Sequence, residues 1–112
     1  MLDTSPLTAA VDRFADRLRA APQSRLQQGA AGAALELARE LAVRAQALEG
    51  AGAGREMPDA GIFVVGDQVA VAGLDLAEAL RAAPAGNGTK APSEVLDEAV
   101  RLVERAELRA MR

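Results

Sequence analysis

The sequence contains no cysteine and no histidine among its 112 residues. The missing cysteine excludes a disulfide framework, a thiolate nucleophile and a Cys-ligated metal. The missing histidine removes the usual proton shuttle near neutral pH and the commonest metal ligand. A nucleophilic triad would need another base, and Ser5, Ser24 and Ser93 all sit at predicted helix caps. We therefore expect a protein that is not an enzyme and that holds no cofactor or metal.

Aromatic residues and lysine are also scarce. Phe14 and Phe63 are the only aromatic residues, and Lys90 is the only lysine. Half of the chain is hydrophobic, which is typical of a folded protein, but alanine dominates this half. Large side chains bury the most apolar area, at about 25 cal/mol per Å². An alanine-rich core therefore predicts close helix approach or a partner that adds buried area. Alanine and arginine together indicate a GC-rich bacterial genome.

Long apolar runs and an excess of positive charge are missing as well. Nowhere do about 18 uncharged apolar residues follow one another, so no membrane span is predicted. Asp3 stands where a signal peptide carries basic charge, and no long apolar segment follows it. We therefore expect a cytoplasmic protein without a membrane partner. The formal charge of −3 weighs against a general polyanion binder and leaves nucleic acid as a secondary alternative.

Most of the chain carries helical signals. Ser5 and Asp75 are predicted caps of the first and third helices, while Pro22 and Gly50 end the first and second. A connection over about 50–60 and a loop over about 84–92 separate the later elements. The predicted helices cover residues 5–21, 24–49, 76–83 and 93–112.

The stretch 61–73, GIFVVGDQVAVAG, predicts the only β-structure. Gly66 and Asp67 fit a two-residue hairpin turn with glycine first. The resulting register pairs Val64 with Val69 and gives one β-branched face and one mixed, largely apolar face. We therefore predict an α+β fold: a helix-dominated single domain over 1–112 in the order α-α-β-β-α-α, with one central β-hairpin.

A lone hairpin is unstable in water, and its two edges invite pairing. Pairing across a two-fold axis would cover these edges with a second copy of the chain. We therefore predict a non-enzymatic interaction or regulatory module that acts as a homodimer, with any further protein partner unknown. The predicted dimer interface consists of Ile62, Phe63, Val64, Val65, Val69, Val71 and Leu35.

Two alternative functions remain open at this stage. In a DNA-associated regulator, the start of helix two would contact phosphates and base edges after a tight turn. The residues of this alternative nucleic-acid site are Ser24, Arg25, Gln27 and Gln28. A small-ligand or metal-binding protein is the second alternative, because carboxylates near the hairpin base could bind a divalent ion. The carboxylates concerned are Glu56, Asp59, Asp75 and Glu78.

Two weaker patterns complete the candidates. Residues 86–90, GNGTK, resemble part of a phosphate-binding loop but lack its residue order and its preceding strand, which favours a connector. A stripe of arginines along the last helix would suit an acidic partner, but nearby acids favour a salt-bridged, solvated face. The stripe consists of Arg101, Arg105, Arg109 and Arg112, with Asp97 as the predicted i,i+4 partner of Arg101.

Overall fold

The computed structural model describes residues 2–50, 56–83 and 90–112, which form helices joined by turns and irregular segments and contain no β-strand. The predicted α+β class with a central hairpin is therefore wrong. The elements in chain order are α1 (Ser5–Ala20), a single turn α2 (Gln23–Arg25), a wider π-helical segment (Leu26–Ala30), α3 (Ala31–Leu48), α4 (Val65–Ala82) and α5 (Pro92–Ala110).

The predicted hairpin corresponds to a turn over 62–64 followed by the first half of α4. Gly66, predicted to open the hairpin turn, lies in the first turn of α4 and faces α1: a Cβ there would lie 3.2 Å from the main-chain oxygen of Ala15. Gly73 lies on the same side of α4, where a Cβ would come within 2.6 Å of both methyl groups of Val11. These glycines thus allow two helices to approach closely and do not form turns.

Tertiary burial decides in favour of the helix. Val65, Val69, Ala72 and Leu76 recur at helical spacing and are each at most 3% exposed. A valine in a helix costs at most about 0.7 kcal/mol relative to alanine, whereas burial of its side chain contributes roughly 1.5–3 kcal/mol. Asp75, the predicted cap of a short third helix, consequently lies inside α4.

The four long helices form a bundle around one core. Both α1 and α3 pack against α4 and against α5, which places α1 and α3 across the bundle from each other. Gly73 meets Val11 in the middle of α1, and Arg81 at the end of α4 bonds Thr4 at the start of α1, so these two helices are antiparallel. The largest fully buried side chains are Phe14, Leu7, Leu18, Leu41, Leu76, Leu80, Val11, Val69 and Val103.

The first, second and last predicted helices correspond to helices of the structure, with local corrections. Asp3, not Ser5, provides the polar contact at the start of α1, because its Oδ1 accepts the Ser5 backbone N–H at 3.0 Å. Hydrogen bonds from Ser5 lower the pKa of Asp3. The predicted continuous helix 24–49 is interrupted by Gly29 at φ 125°, while Gly50 follows α3 at φ 72°, as a C-terminal glycine stop should.

Glu98 ties the start of α5 to α3. Its carboxylate accepts hydrogen bonds from Lys90 Nζ at 2.6 and 2.8 Å and pairs with Arg44 Nη1 at 3.4 Å. The hydrogen bond from Lys90, followed by the positive charges of both partners, lowers the pKa of Glu98. The network therefore depends on an ionised Glu98.

We expect this network to make stability fall at acidic pH. Because the pKa of Glu98 is lower in the folded protein, the unfolded chain takes up its proton first as the pH drops. The contribution is complete above the unfolded value of about 4.3 and is lost as the pH falls through the folded value. Thermal unfolding followed between pH 7 and 3 should show a shallower decline for Glu98→Gln than for the unmodified chain. Glu94→Gln, at an exposed position on the same helix, should leave the decline unchanged; equal curves for all three proteins would refute the assignment.

Candidate functional site

The largest cluster of solvent-exposed apolar side chains in the described residues lies on α4 and the turn before it. Phe63 is 75% exposed, Val71 57%, Leu74 51% and Val64 36%. Val64, Val71 and Leu74 recur at i, i+7 and i+10, which places them on one side of the helix. We call these four residues the α4 strip. Single exposed hydrophobic residues are ordinary, whereas a cluster of this kind marks an interaction surface.

The α4 strip continues into a shallow groove between α4 and α1. The groove is open to solvent and encloses about 250 Å³. It lies beside the close contact of α4 with α1, where Gly73 packs against Val11. Its lining residues are Thr8, Val11, Asp12, Ala70, Val71 and Leu74.

Charged side chains border the α4 strip along its length. Asp67 accepts hydrogen bonds from Arg19 at 2.7 and 3.1 Å, both at Oδ1, and this contact holds the pKa of Arg19 above its usual value. Arg81 Nη1 donates to the hydroxyl of the buried Thr4 at 2.7 Å. Asp75 and Glu78 are exposed and form no ion pair among the described residues. The strip is therefore an apolar surface with an acidic border and one arginine at its C-terminal end.

The residues of the predicted dimer interface divide into two groups. Phe63, Val64 and Val71 belong to the α4 strip, and Ile62 is half-buried beside it. The remaining three lie in the core: Leu35, Val65 and Val69. Sequence reasoning missed Leu74, although its i+3 spacing from Val71 would have placed it on the same side of a helix.

A second exposed surface lies on the C-terminal half of α5. We call it the arginine face; it consists of Arg101, Leu102, Arg105, Leu108, Arg109 and Arg112. Leu108 is 68% exposed. Among the described residues, no carboxylate lies within 4.0 Å of the guanidinium groups of Arg101, Arg105 and Arg109, and the predicted pair of Asp97 with Arg101 is not formed.

The structure brings the predicted nucleic-acid residues next to this face. Ser24, Arg25 and Gln28 line an open cleft of about 450 Å³ together with Arg109 and Arg112. Arg25 Nη1 donates to the main-chain oxygen of Arg112 at 2.6 Å. Gln27, the fourth residue of the set, is exposed outside this lining. A helix-turn-helix needs a continuous second helix, whereas here the three-residue α2 is followed by the kink at Gly29.

The candidate ion sites are not assembled in the described part of the chain. No three carboxylates there lie close enough to share a metal ion, and this includes the predicted set of Glu56, Asp59, Asp75 and Glu78. Residues 84–89, which contain most of the phosphate-loop candidate, lie outside the described residues, as do residues 51–55 of the predicted connection. Lys90, at the end of that candidate, is hydrogen-bonded to Glu98.

Glu107 is the one buried acidic residue among the described residues, and its carboxylate is paired with arginines of the same fold. Its side chain is 8% exposed and pairs with Arg13 at 3.2 Å and with Arg17 at 3.0 Å. No buried side-chain nitrogen or oxygen in the described ranges lacks a hydrogen-bond partner. Glu107 therefore links α5 to α1 through two ion pairs, and its charge is compensated within the fold.

Comparisons with known proteins return no match to a family model, to a curated protein or to a solved structure. Within residues 2–50, 56–83 and 90–112, no helix has both the length and the apolar character to cross a membrane.

Proposed function

We propose that the protein is a non-enzymatic cytoplasmic interaction module that acts as a homodimer through the α4 strip. The observation that carries the proposal is the exposure of Phe63, Val64, Val71 and Leu74 on one side of the bundle. An alanine-rich core buries little area per residue, so a second copy that covers these side chains would add to the stability of the fold.

The border charges support a second copy of the chain as the occupant. Asp67 and Arg81 lie at equal separations on either side of Leu74 along α4. An antiparallel pair of α4 helices centred on Leu74 therefore places Asp67 of each copy opposite Arg81 of the other. Arg19 donates only to Oδ1 of Asp67, and the Asp67 side chain is 68% exposed, so Oδ2 is available for this contact. A two-fold interface of this kind uses the same surface on both copies.

A dimer interface of standard size requires surface from α1 as well as from α4. A stable interface of standard size buries about 800 Å² on each partner, more than the side chains of the α4 strip alone present. The groove supplies further surface through Thr8 and Asp12 of α1. Because Val71 and Leu74 of the strip also line this groove, a second copy that covers the strip can contact α1 as well.

A role without catalysis is supported by the chemistry of the available side chains. The sequence offers no histidine or cysteine, and the clefts next to the α4 strip and the arginine face are open. Arginines and isolated carboxylates at such surfaces suit recognition better than proton transfer, which needs a group whose pKa lies near the working pH.

We expect the chain to elute as a dimer of twice 11.6 kDa in size-exclusion chromatography with light scattering at micromolar concentration. Leu74→Glu should yield the monomer, because it places two carboxylates, one from each copy, opposite each other at the centre of the apolar contact. Val43→Glu is the matched control, since Val43 is 58% exposed on α3, away from the strip. It should remain a dimer.

Circular dichroism of each variant checks that the helices persist. A monomer for the unmodified chain at these concentrations would contradict the proposal. A dimer that survives Leu74→Glu would show that another surface pairs the copies and would equally overturn it.

A further inference from the structure

Three neighbouring cations of the arginine face have no carboxylate partner among the described residues. Arg13, Arg17, Arg19, Arg39 and Arg44 each pair with a carboxylate within 4.0 Å. Arg101, Arg105 and Arg109 follow one another at i+4 on the exposed side of α5, and no carboxylate of the described residues reaches them. Arg25 lies beside this surface, where its Nη1 donates to the main-chain oxygen of Arg112.

Apolar surface lies directly among these cations. An open cleft of about 360 Å³ is lined by the half-buried Leu102, the exposed Leu108, and the arginines Arg105, Arg109 and Arg112. Leu108 projects into solvent with 68% of its surface exposed, next to the guanidinium-bearing residues of the same cleft. The face thus combines apolar surface with neighbouring positive charge.

We propose that the arginine face binds an acidic amphipathic helix of a partner protein. Leucines of such a helix would cover Leu102 and Leu108, and its glutamates or aspartates would meet the guanidinium groups. Arginine suits this task because its planar fork pairs with a carboxylate through two parallel hydrogen bonds. In helix-in-groove recognition a partner helix lays its apolar side into a groove, and the cleft lined by Leu102 and Leu108 offers such a surface.

Charge and apolar content favour an acidic protein helix over nucleic acid. The chain carries a formal charge of −3, and Glu94, Asp97 and Glu104 are exposed on the same helix. A phosphate backbone would meet these acids and leave Leu108 uncovered, whereas affinity for nucleic acid comes mainly from an unbroken basic surface. A folded helix with its own leucines can cover Leu108, whereas a phosphate backbone offers no apolar surface to it.

The arginine face is separate from the proposed dimer surface, because α5 and α4 pack mainly against α1 and α3 and only slightly against each other. The acidic border of the α4 strip is complementary in charge to the arginine face of another copy. Such a contact uses two different surfaces and would extend without closing. It would appear as large, concentration-dependent assemblies in light scattering.

Binding of a labelled synthetic helix tests the proposal. The probe is a fluorescein-labelled peptide of about 18 residues with leucines on one face and glutamates elsewhere, long enough to span the arginine face. Its anisotropy is titrated with the protein at low salt. Two control peptides replace the glutamates by lysines or the leucines by alanines, and a labelled DNA duplex is titrated in parallel.

We expect the leucine–glutamate peptide to bind, the lysine peptide not to bind, and the alanine peptide to bind at least about tenfold more weakly. The double variant Arg105→Gln, Arg109→Gln should weaken binding about tenfold or more, because charged contacts across an interface act in pairs with the partner's acids. Lys90→Gln, which removes one cation at the opposite end of the helix, should change it by less than about twofold. Leu74→Glu should bind as the unmodified chain does, so that failure of the dimer and failure of this site can be told apart.

Three results would overturn the inference. The first is no binding of the leucine–glutamate peptide at any protein concentration reached. The second is binding that persists in the double arginine variant. The third is tighter binding of the DNA duplex that the same variant abolishes, which would assign the face to nucleic acid.

Discussion

Replacement of both Arg13 and Arg17 by alanine is expected to lower the free energy of unfolding by about 3 kcal/mol, because it leaves a buried carboxylate without a partner. Glu107 is 8% exposed, and these two guanidinium groups are its ion-pair partners. The arginines are themselves about half exposed, 53% and 51%, so their removal costs little apart from the orphaned acid. Either single replacement should cost only about 1 kcal/mol, since one charged partner remains.

Urea denaturation followed by circular dichroism measures these differences. Adding Glu107→Leu to the double arginine variant should restore most of the lost stability, because it removes the buried charge. The control is Arg101→Ala with Arg105→Ala, which takes two unpaired cations from the surface and should change stability by less than about 0.5 kcal/mol. Equal losses in the two double variants would show that Glu107 is not held as described.

Gly73→Ala is expected to destabilise the protein by about 1–3 kcal/mol, because a Cβ at this position overpacks the contact with α1. The new atom would come within 2.6 Å of both methyl groups of Val11. Gly32→Ala is the matched control, since no atom lies within 4 Å of a Cβ at that helical glycine. It should stabilise by up to about 1 kcal/mol through helix propensity alone.

The effect of Gly73→Ala should change sign when Val11 is also made smaller. In a Val11→Ala background the methyl groups that meet the new Cβ are gone, so the substitution fills space and gains helix propensity. Unfolding free energies of the four proteins in this double-mutant cycle give the coupling directly. A destabilisation by Gly73→Ala that is the same in both backgrounds would mean that α1 and α4 do not meet at this contact.

The sequence was sufficient for the helices whose ends carry clear signals. Pro6 and Pro22 delimit α1, Gly50 follows α3 with the predicted left-handed conformation, and the acidic start of α5 precedes a regular apolar pattern. These signals are local, because a cap or a proline acts on the few residues beside it. They therefore remain valid whatever the rest of the chain does.

The stretch 61–73 was misassigned because its apolar residues satisfy two periods at once. Val64, Val69 and Val71 alternate in the hairpin register, yet Val65, Val69 and Ala72 also fit a helix. The helical pattern continues through Leu76 to Leu80, well past the length of a strand, and this length is the signal that should have decided the assignment. Gly66 was interpreted as a turn residue. In the structure its lack of a side chain instead allows α4 to pack closely against α1.

The Glu107 ion pairs and the exposed surfaces depend on contacts between segments that are far apart in the sequence. No local sequence pattern predicts such contacts. Glu107 occupies the buried side of α5 between Val103 and Ala110, and an acid in such a position indicates a charged partner on a neighbouring helix. Its partners, Arg13 and Arg17, follow the i,i+4 spacing on α1, but the sequence alone does not say that α1 is the neighbour. The approach of Arg25 to Arg112 likewise requires the fold.

Backbone chemical shifts of the isotope-labelled chain test most directly whether residues 65–82 form one helix with the α4 strip on its outer side. We expect uninterrupted helical Cα and Cβ secondary shifts from Val65 to Ala82, including Gly66 and Asp67, together with i,i+3 contacts between Val71 and Leu74. Extended shifts over 62–65 and 68–72, joined by a cross-strand contact between Val64 and Val69, would contradict the helical assignment and with it the proposed interaction surface.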